Sequence, residues 1–314
     1  MLRRLFATLV LMLVPTAALA FGHVPQKRLV LDTIAEPVLA AYSLRLVRTG
    51  YTGPAINVIR SSDSAAKDIY FARNRYLDLY SIKSFCGAST TCYVHKWYDQ
   101  SGNNRTIATS ATIGFDPVIM TSGAFKTTTN GQVAIYFNIQ FLNDIVDTPL
   151  LYSSNGSTSM FVQQAVSQSY NTPIASEDST SSASPLYLLE ANQSNSQVLS
   201  MLIKNDSASV VLSAGSISST PAFDGTFRTI TYSDRGSSVL GYVQGTAGSS
   251  QSYTRSGTLT LNEFCIGGYN CKNSLAYPWV GYVTEAMFFP EVLSTIDRQA
   301  IEHSEEQFFG ISGV

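Results

Sequence analysis

Short β-prone runs recur along the chain at a spacing of about ten residues, each closed by a cluster of turn residues, and this rhythm excludes most architectures. Ile56–Arg60 follows the turn cluster Thr49-Gly50-Tyr51-Thr52-Gly53-Pro54. Cys92–Tyr98 runs into Asp99-Gln100-Ser101-Gly102-Asn103, and Thr226–Tyr232 alternates before Asp234-Arg235-Gly236. Tyr42–Val47, Val133–Asn138, Ser159–Val166, Leu186–Leu189, Val198–Ile203, Ala208–Ser213, Ser238–Val243, Leu259–Ile266 and Gly281–Phe289 complete the series. Long helices do not alternate with these runs, which disfavours a parallel α/β sheet, and an all-β sandwich or barrel is expected. A single domain over residues 41–314 suits this length. Residues 21–40 form a lead-in, with a short helix in Lys27–Ala41 broken by Pro37. The chain closes on one helix: Ser294 is a cap with Asp297 three residues on, and Gly310 is the stop. Residues 166–200 are dense in Ser, Gln, Asn and Thr and read as long polar loops around the Leu186–Leu189 strand.

The first twenty residues have a different character. Arg3 and Arg4 precede the apolar run Leu5–Val14, and Ala18-Leu19-Ala20 is a small-x-small cleavage site. This is the pattern of a secretory signal peptide, with Phe21 as the mature N-terminus. The run is shorter than the roughly 20 apolar residues of a spanning helix. Removing residues 1–20 leaves 18 basic against 22 acidic residues, a formal charge of −4. So mild a charge argues against nucleic acid and against an anionic membrane surface as partner. A secreted or periplasmic monomer with no cofactor is expected.

An oxidising compartment gives meaning to the four cysteines, Cys86, Cys92, Cys265 and Cys271. Each close pair can close a small loop; four cysteines allow three pairings, and the sequence leaves these open. Neither pair has zinc-finger spacing, and His23, His95 and His303 are scattered, so no zinc site is expected. Nor is there an Asp-rich loop with calcium-binding spacing.

The segment from Cys86 and Cys92 through Tyr98-Asp99-Gln100-Ser101-Gly102-Asn103 resembles the catalytic domain of secreted α-L-arabinofuranosidase B, which has two close cysteines, a strand and the same YDQSGN. Ala41-Tyr42-Ser43-Leu44-Arg45 and Arg60-Ser61-Ser62-Asp63 resemble the opening strands of that family. Ile266-Gly267-Gly268 and Gly281-Tyr282-Val283-Thr284-Glu285, followed by the final helix, resemble its close. The resemblance implies a concanavalin A-like jelly-roll β-sandwich with a short C-terminal helix, and a glycan or polysaccharide as ligand. It also implies a retaining mechanism, which needs a carboxylate nucleophile and a carboxyl acid/base about 5–5.5 Å apart.

The motifs that carry this chemistry in the family are altered here. The nucleophile is the Glu of an Asp-x-Glu-Asn stretch; the match is Leu202-Ile203-Lys204-Asn205, with lysine at the Glu position. The acid/base is the Asp of Gly-Gly-Asp-Asn; the match is Gly267-Gly268-Tyr269-Asn270. The adjacent Cys-Cys of the family has no counterpart. Lysine cannot form a glycosyl ester, and tyrosine, with a reference pKa of about 10, is a poor acid at neutral pH. If catalysis persists, Glu190 and Asp206 are the alternative nucleophiles, and Asp99, Glu263 and Glu285 the alternative acids. If it does not, Tyr269, Asn270, Trp279, Asp99 and Asn205 are the candidate ligand-binding residues. Tyr269 and an exposed Trp279 would stack on sugar rings, while Trp97 is expected in the core. Three functions follow: a glycan-binding sandwich with lost or altered catalysis, an active arabinofuranosidase-like hydrolase, or an envelope adhesin or structural protein.

Overall fold

The computed structural model describes residues 28–109, 113–145, 149–167, 172–180, 182–191, 197–271 and 275–311. The signal-peptide segment expected at residues 1–20, Phe21 and His23 lie outside them. The first strands are β1 (Ala40–Ser43), β2 (Ile56–Arg60), β3 (Ala66–Ile69), β4 (Thr91–Trp97), β5 (Ile107–Ala108), β6 (Val118–Thr121) and β7 (Ala124–Phe125). The middle of the chain forms β8 (Ile135–Phe137), β9 (Leu142–Ile145), β10 (Ser157–Ser167), β11 (Pro173–Ser179), β12 (Ser182–Ala191), β13 (Leu199–Lys204) and β14 (Val210–Ala214). The rest are β15 (Arg228–Asp234), β16 (Ser238–Val243), β17 (Thr246–Ala247), β18 (Gln251–Ser252), β19 (Glu263–Ile266) and β20 (Val280–Phe289). Two α-helices, α1 (Leu79–Cys86) and α2 (Thr295–Phe309), are present among the described residues.

The strands pair antiparallel into a two-layer sandwich. One layer is centred on β20, with β10, β15 and β16 to one side and β1 and β8 to the other. The other runs β14–β13–β12–β11–β19–β9. β4, flanked by β2, β5 and β6, ties the layers together through β9 and β8. The layers meet through aromatic rings. Phe264 on β19 packs across the layers edge-on to Phe288 of β20 at 5.2 Å between centroids, and Phe161 on the neighbouring β10 packs edge-on to the same ring at 5.6 Å. Tyr42 bridges Phe288 and Trp97. Trp97 is fully buried, as expected of a core residue.

The period-two alternation of the strands sorts their faces. On β12, Tyr187, Leu189 and Ala191 join the core while Leu186, Leu188 and Glu190 turn away from it. The expectation of polar loops across 166–200 is therefore corrected. β11 and β12 occupy most of the described part of that segment, and every residue of β11 is buried. Ser176, Glu177 and Asp178 fill strand positions with hydrogen-bond partners in Gly268, Leu150, Tyr152 and Asn270. The expected lead-in helix is reduced to a 3₁₀ turn, Val30–Asp32. Helix α1 was not anticipated. Its signals are Asp78, whose carboxylate caps the Ser81 N–H, and Gly87 just past the end, at φ +68°. α2 starts at the expected cap, where Ser294 Oγ accepts from the Asp297 N–H, and stops at Gly310. No described helix is long and apolar enough to cross a membrane.

Both close cysteine pairs are joined: Cys86 to Cys92 and Cys265 to Cys271. The first ties the end of α1 to β4. The second closes the loop that follows β19.

Candidate functional site

The face of β19, β11, β12 and β13 that points away from the core is organised in transverse rows. Register places Glu263 opposite Asp178, Asp178 opposite Leu186, and Leu186 opposite Lys204. The next row is Cys265, Ser176, Leu188 and Leu202. Beyond it Glu190 stands opposite Ser200. Strands about 4.8 Å apart and residues rising about 3.3 Å each put the Glu190 backbone roughly 13 Å along the strand from the Asp178–Lys204 row.

A short loop is pinned over this face. Gly267 N–H donates to Ile174 O at 2.9 Å, Ser176 Oγ donates to Gly268 O at 2.9 Å, and Asn270 N–H donates to Asp178 Oδ2 at 2.6 Å. The Cys265–Cys271 disulfide closes the loop. Gly267 is required there: its φ is +106°, and a Cβ would lie 2.6 Å from Gln140 O. Tyr269 pairs with Ala276 through reciprocal backbone bonds, which brings the Tyr277 ring alongside its own. The two rings are stacked, 5.7 Å between centroids and 12° between planes, and Tyr277 is half exposed.

The electrostatics beneath the tyrosines are unusual. Burial raises the Asp178 carboxyl to about 8, opposed by the Asn270 N–H and reinforced by the facing Glu263. A proton held by Asp178 relieves the repulsion between the two carboxyls. Burial likewise raises Glu190 to about 7, with Lys204 opposing. Glu190 is 1% exposed, and neither of its carboxyl oxygens has a hydrogen-bond partner among the described residues. Burial also raises Tyr269, together with Tyr277, Glu190 and Asp178, so the ring lies within the field of both carboxyls.

These values carry a sign for stability. Glu177, which turns inward to accept from the Leu150 and Tyr152 N–H groups, is also raised to about 8 by burial. On unfolding, all three acids return to ordinary carboxyl values of about 4. Between these limits the folded chain binds more protons than the unfolded chain, so their contribution is full below about pH 4 and is lost as pH rises toward 8. At the acid end the carboxylates whose values are lowered, such as Asp206 with its Thr258 and Thr260 partners, oppose this trend. The urea midpoint is therefore expected to peak near pH 5 and fall toward pH 8, and Glu190→Gln to flatten that fall. A midpoint rising across the interval contradicts the assignment.

The residues singled out from the sequence divide into two groups. Tyr269, Asn270, Glu190 and Glu263 come together on or above the one face. The others do not join it. Asp99 accepts from Ala41, Ser101 and Arg105 N–H groups and from Ser101 Oγ, so it organises the YDQSGN turn. Asp206 accepts from Thr258 and Thr260 in a surface turn, and Asn205 holds the same turn through Ser207, Ser209 and Ser256. Glu285 is fully buried in an ion pair with Arg45 at 2.8 Å. Trp279, expected at the surface, is fully buried against Phe137 at 6.2 Å and offers no platform. Asp178 and Tyr277 were not singled out. Asp178 was hidden in a segment that reads as polar loop, and Tyr277 has no motif of its own.

A family model for the catalytic domain of α-L-arabinofuranosidase B matches residues 30–171. A solved arabinofuranosidase complexed with arabinofuranosyl-α-1,2-xylobiose aligns over 88% of this chain and 63% of its own, at 16% identity and a TM-score of 0.60. A GH54 α-L-arabinofuranosidase, in a glutamate-to-glutamine variant soaked with 4-nitrophenyl α-L-arabinofuranoside, aligns over the same shares at 16% identity and a TM-score of 0.59. The same enzyme family soaked with a cyclic sulfate inhibitor aligns equally well. The chain thus spans just under two thirds of the length of these solved proteins. No curated protein matches the sequence significantly. By sequence in its first half and by fold along most of its length, the chain resembles the catalytic domain of α-L-arabinofuranosidase B.

Proposed function

We propose that the chain is an exported, monomeric glycan-binding protein built on the arabinofuranosidase sandwich, in which the hydrolytic pair has been replaced. The observation that carries this reading is the stack of Tyr269, on a disulfide-closed loop, with Tyr277 just beyond it, above a face of buried carboxyls. Stacked aromatics present a rigid apolar surface to the C–H face of a sugar at low entropic cost. Lys204 and Tyr269 stand where the family resemblance puts nucleophile and acid, and neither can perform that role. Of the remaining carboxyls, Asp178 and Glu263 face each other directly across neighbouring strands, while Glu190 lies two rows away. Retention or inversion requires carboxyls about 5–9.5 Å apart.

One observation favours a second reading, hydrolysis with Glu190 as proton donor: a carboxyl raised to about 7 is matched to acid catalysis at neutral pH. A glycan array probed with the purified chain and with Tyr269→Ala tests the binding reading. Retention of arabinosylated oligosaccharides by the native chain, lost in the variant, is expected; silence on every glycan removes it.

A further inference from the structure

We propose that an apolar patch beside the tyrosine loop, built from Phe115, Ile139 and Phe141, is a second subsite of the same binding surface and takes a further sugar ring of the ligand. This rests on the tyrosine reading and extends it: the ligand is a neutral oligosaccharide of more than one ring.

Strand register places the patch. β9 pairs with β19 so that Asn143 stands opposite Cys265, on the face turned from the core. Phe141 comes two residues before Asn143 and falls on that same face. There it packs with Cys265, Cys271 and Leu275. Phe115 continues the surface: its carbonyl accepts from Phe141 N–H at 3.2 Å, and its ring is centred 5.9 Å from the Phe141 ring. The turn before Phe141 abuts the loop closely. A Cβ on Gly267 would lie 2.6 Å from Gln140 O and 3.3 Å from Phe141 Cα. The loop that carries Tyr269 therefore leans on the patch.

Exposure singles this patch out. Eight large apolar side chains are exposed among the described residues, and three of them gather around this loop: Phe115 at 44%, Ile139 at 58% and Tyr277 at 50%. Exposed hydrophobes standing singly are ordinary, whereas a group of them marks a contact surface. Ile139 adds a backbone cost. Its φ is +67°, in the left-handed region that a β-branched residue rarely occupies. An exposed side chain gains little burial in return, and strain of this kind gathers where ligands are met. Chemistry selects the occupant. Phe115 and residues 138–141 carry no charge, and Asp116 is fully buried with Thr109 and His95. The exposed Asn138 amide makes no hydrogen bond among the described residues. An aromatic ring with a free amide beside it suits a neutral sugar, whose C–H face meets the ring while a hydroxyl meets the amide. Continuity with the Tyr269–Tyr277 stack puts both rings within one ligand.

Calorimetric titration of the purified chain with methyl α-L-arabinofuranoside, a single ring, and with arabinofuranosylated xylobiose, three rings, tests the proposal. The native chain should bind the trisaccharide about tenfold or more tighter than the single ring. Phe115→Ala and Ile139→Gly should each weaken trisaccharide binding about fivefold. Glycine accepts the left-handed backbone, so the urea midpoint of Ile139→Gly should equal or exceed the native value while its affinity falls. A residue kept for folding alone would not separate the two readouts. Trisaccharide binding that Tyr269→Ala loses and both patch variants retain overturns this proposal and leaves the tyrosine site standing. Equal native affinities for the two ligands overturn it as well, as does an Ile139→Gly midpoint well below native. Silence of the native chain toward both ligands removes the tyrosine reading and the second subsite with it.

Discussion

Arg45→Ala is expected to cost about 3–5 kcal/mol of folding stability, because it strands a buried charge. The Arg45 guanidinium donates to both oxygens of Glu285 at 2.8 Å and to Ser304 Oγ at 2.8 Å. It also lies over the Phe308 and Phe309 rings, at 5.1 and 5.4 Å. Glu285 stands in the central strand β20, while Ser304, Phe308 and Phe309 are on α2, so one side chain fastens the terminal helix to the sandwich. Without it Glu285, at 0% exposure, has only Ser43 Oγ as a hydrogen-bonding side chain among the described residues. It would then face Glu305, whose carboxyl burial and Glu285 already push well above the usual range. A buried ion pair is costly to break but not costly to replace, since the attraction mainly repays desolvation. The double variant Arg45→Met, Glu285→Leu should therefore recover most of the loss. Urea midpoints of the single and double variants check this. A single variant within about 1 kcal/mol of the native chain would place Glu285 outside any load on folding, and would reopen its reading as a catalytic acid.

Tyr269→Ala is expected to weaken glycan binding by ten- to one-hundredfold, about 1.4–2.7 kcal/mol. The substitution removes one ring of the 5.7 Å stack and, with it, the surface that Tyr277 leans on. Folding should be little affected, because the loop is held by backbone bonds and by the Cys265–Cys271 disulfide rather than by the ring. Tyr269→Phe should keep most of the affinity if stacking dominates, and lose it if the hydroxyl is the contact. Equal binding by native chain and alanine variant, measured by titration with an arabinosylated oligosaccharide, would move the ligand away from this loop.

Most of the sandwich was legible in the sequence wherever burial falls on one face. β2 and β16 coincide with the runs read from alternation, and the cap of α2 lies at the residue expected. The reading failed where the face turned from the core is buried as well. Ser176, Asp178 and, on the inner face, Glu177 look like loop residues, yet each is at most 2% exposed, with hydrogen-bond partners in Gly268, Asn270, Leu150 and Tyr152. Local composition carries no record of those partners, which come from nearly thirty or more than ninety residues away. The same reason explains Glu190, read as the start of a loop and found as a buried carboxyl near the end of β12. Tyr269 was legible because a motif and a cysteine pair frame it. Tyr277, its stacking partner, became visible only through the Tyr269–Ala276 bridge.

The most direct test of the account is a calorimetric titration of the purified chain with arabinofuranosylated xylobiose. Binding without hydrolysis predicts heats that saturate and return to baseline after every injection, with the oligosaccharide recovered intact. Sustained heat with release of arabinose, abolished by Glu190→Gln, would contradict it and make the chain a hydrolase.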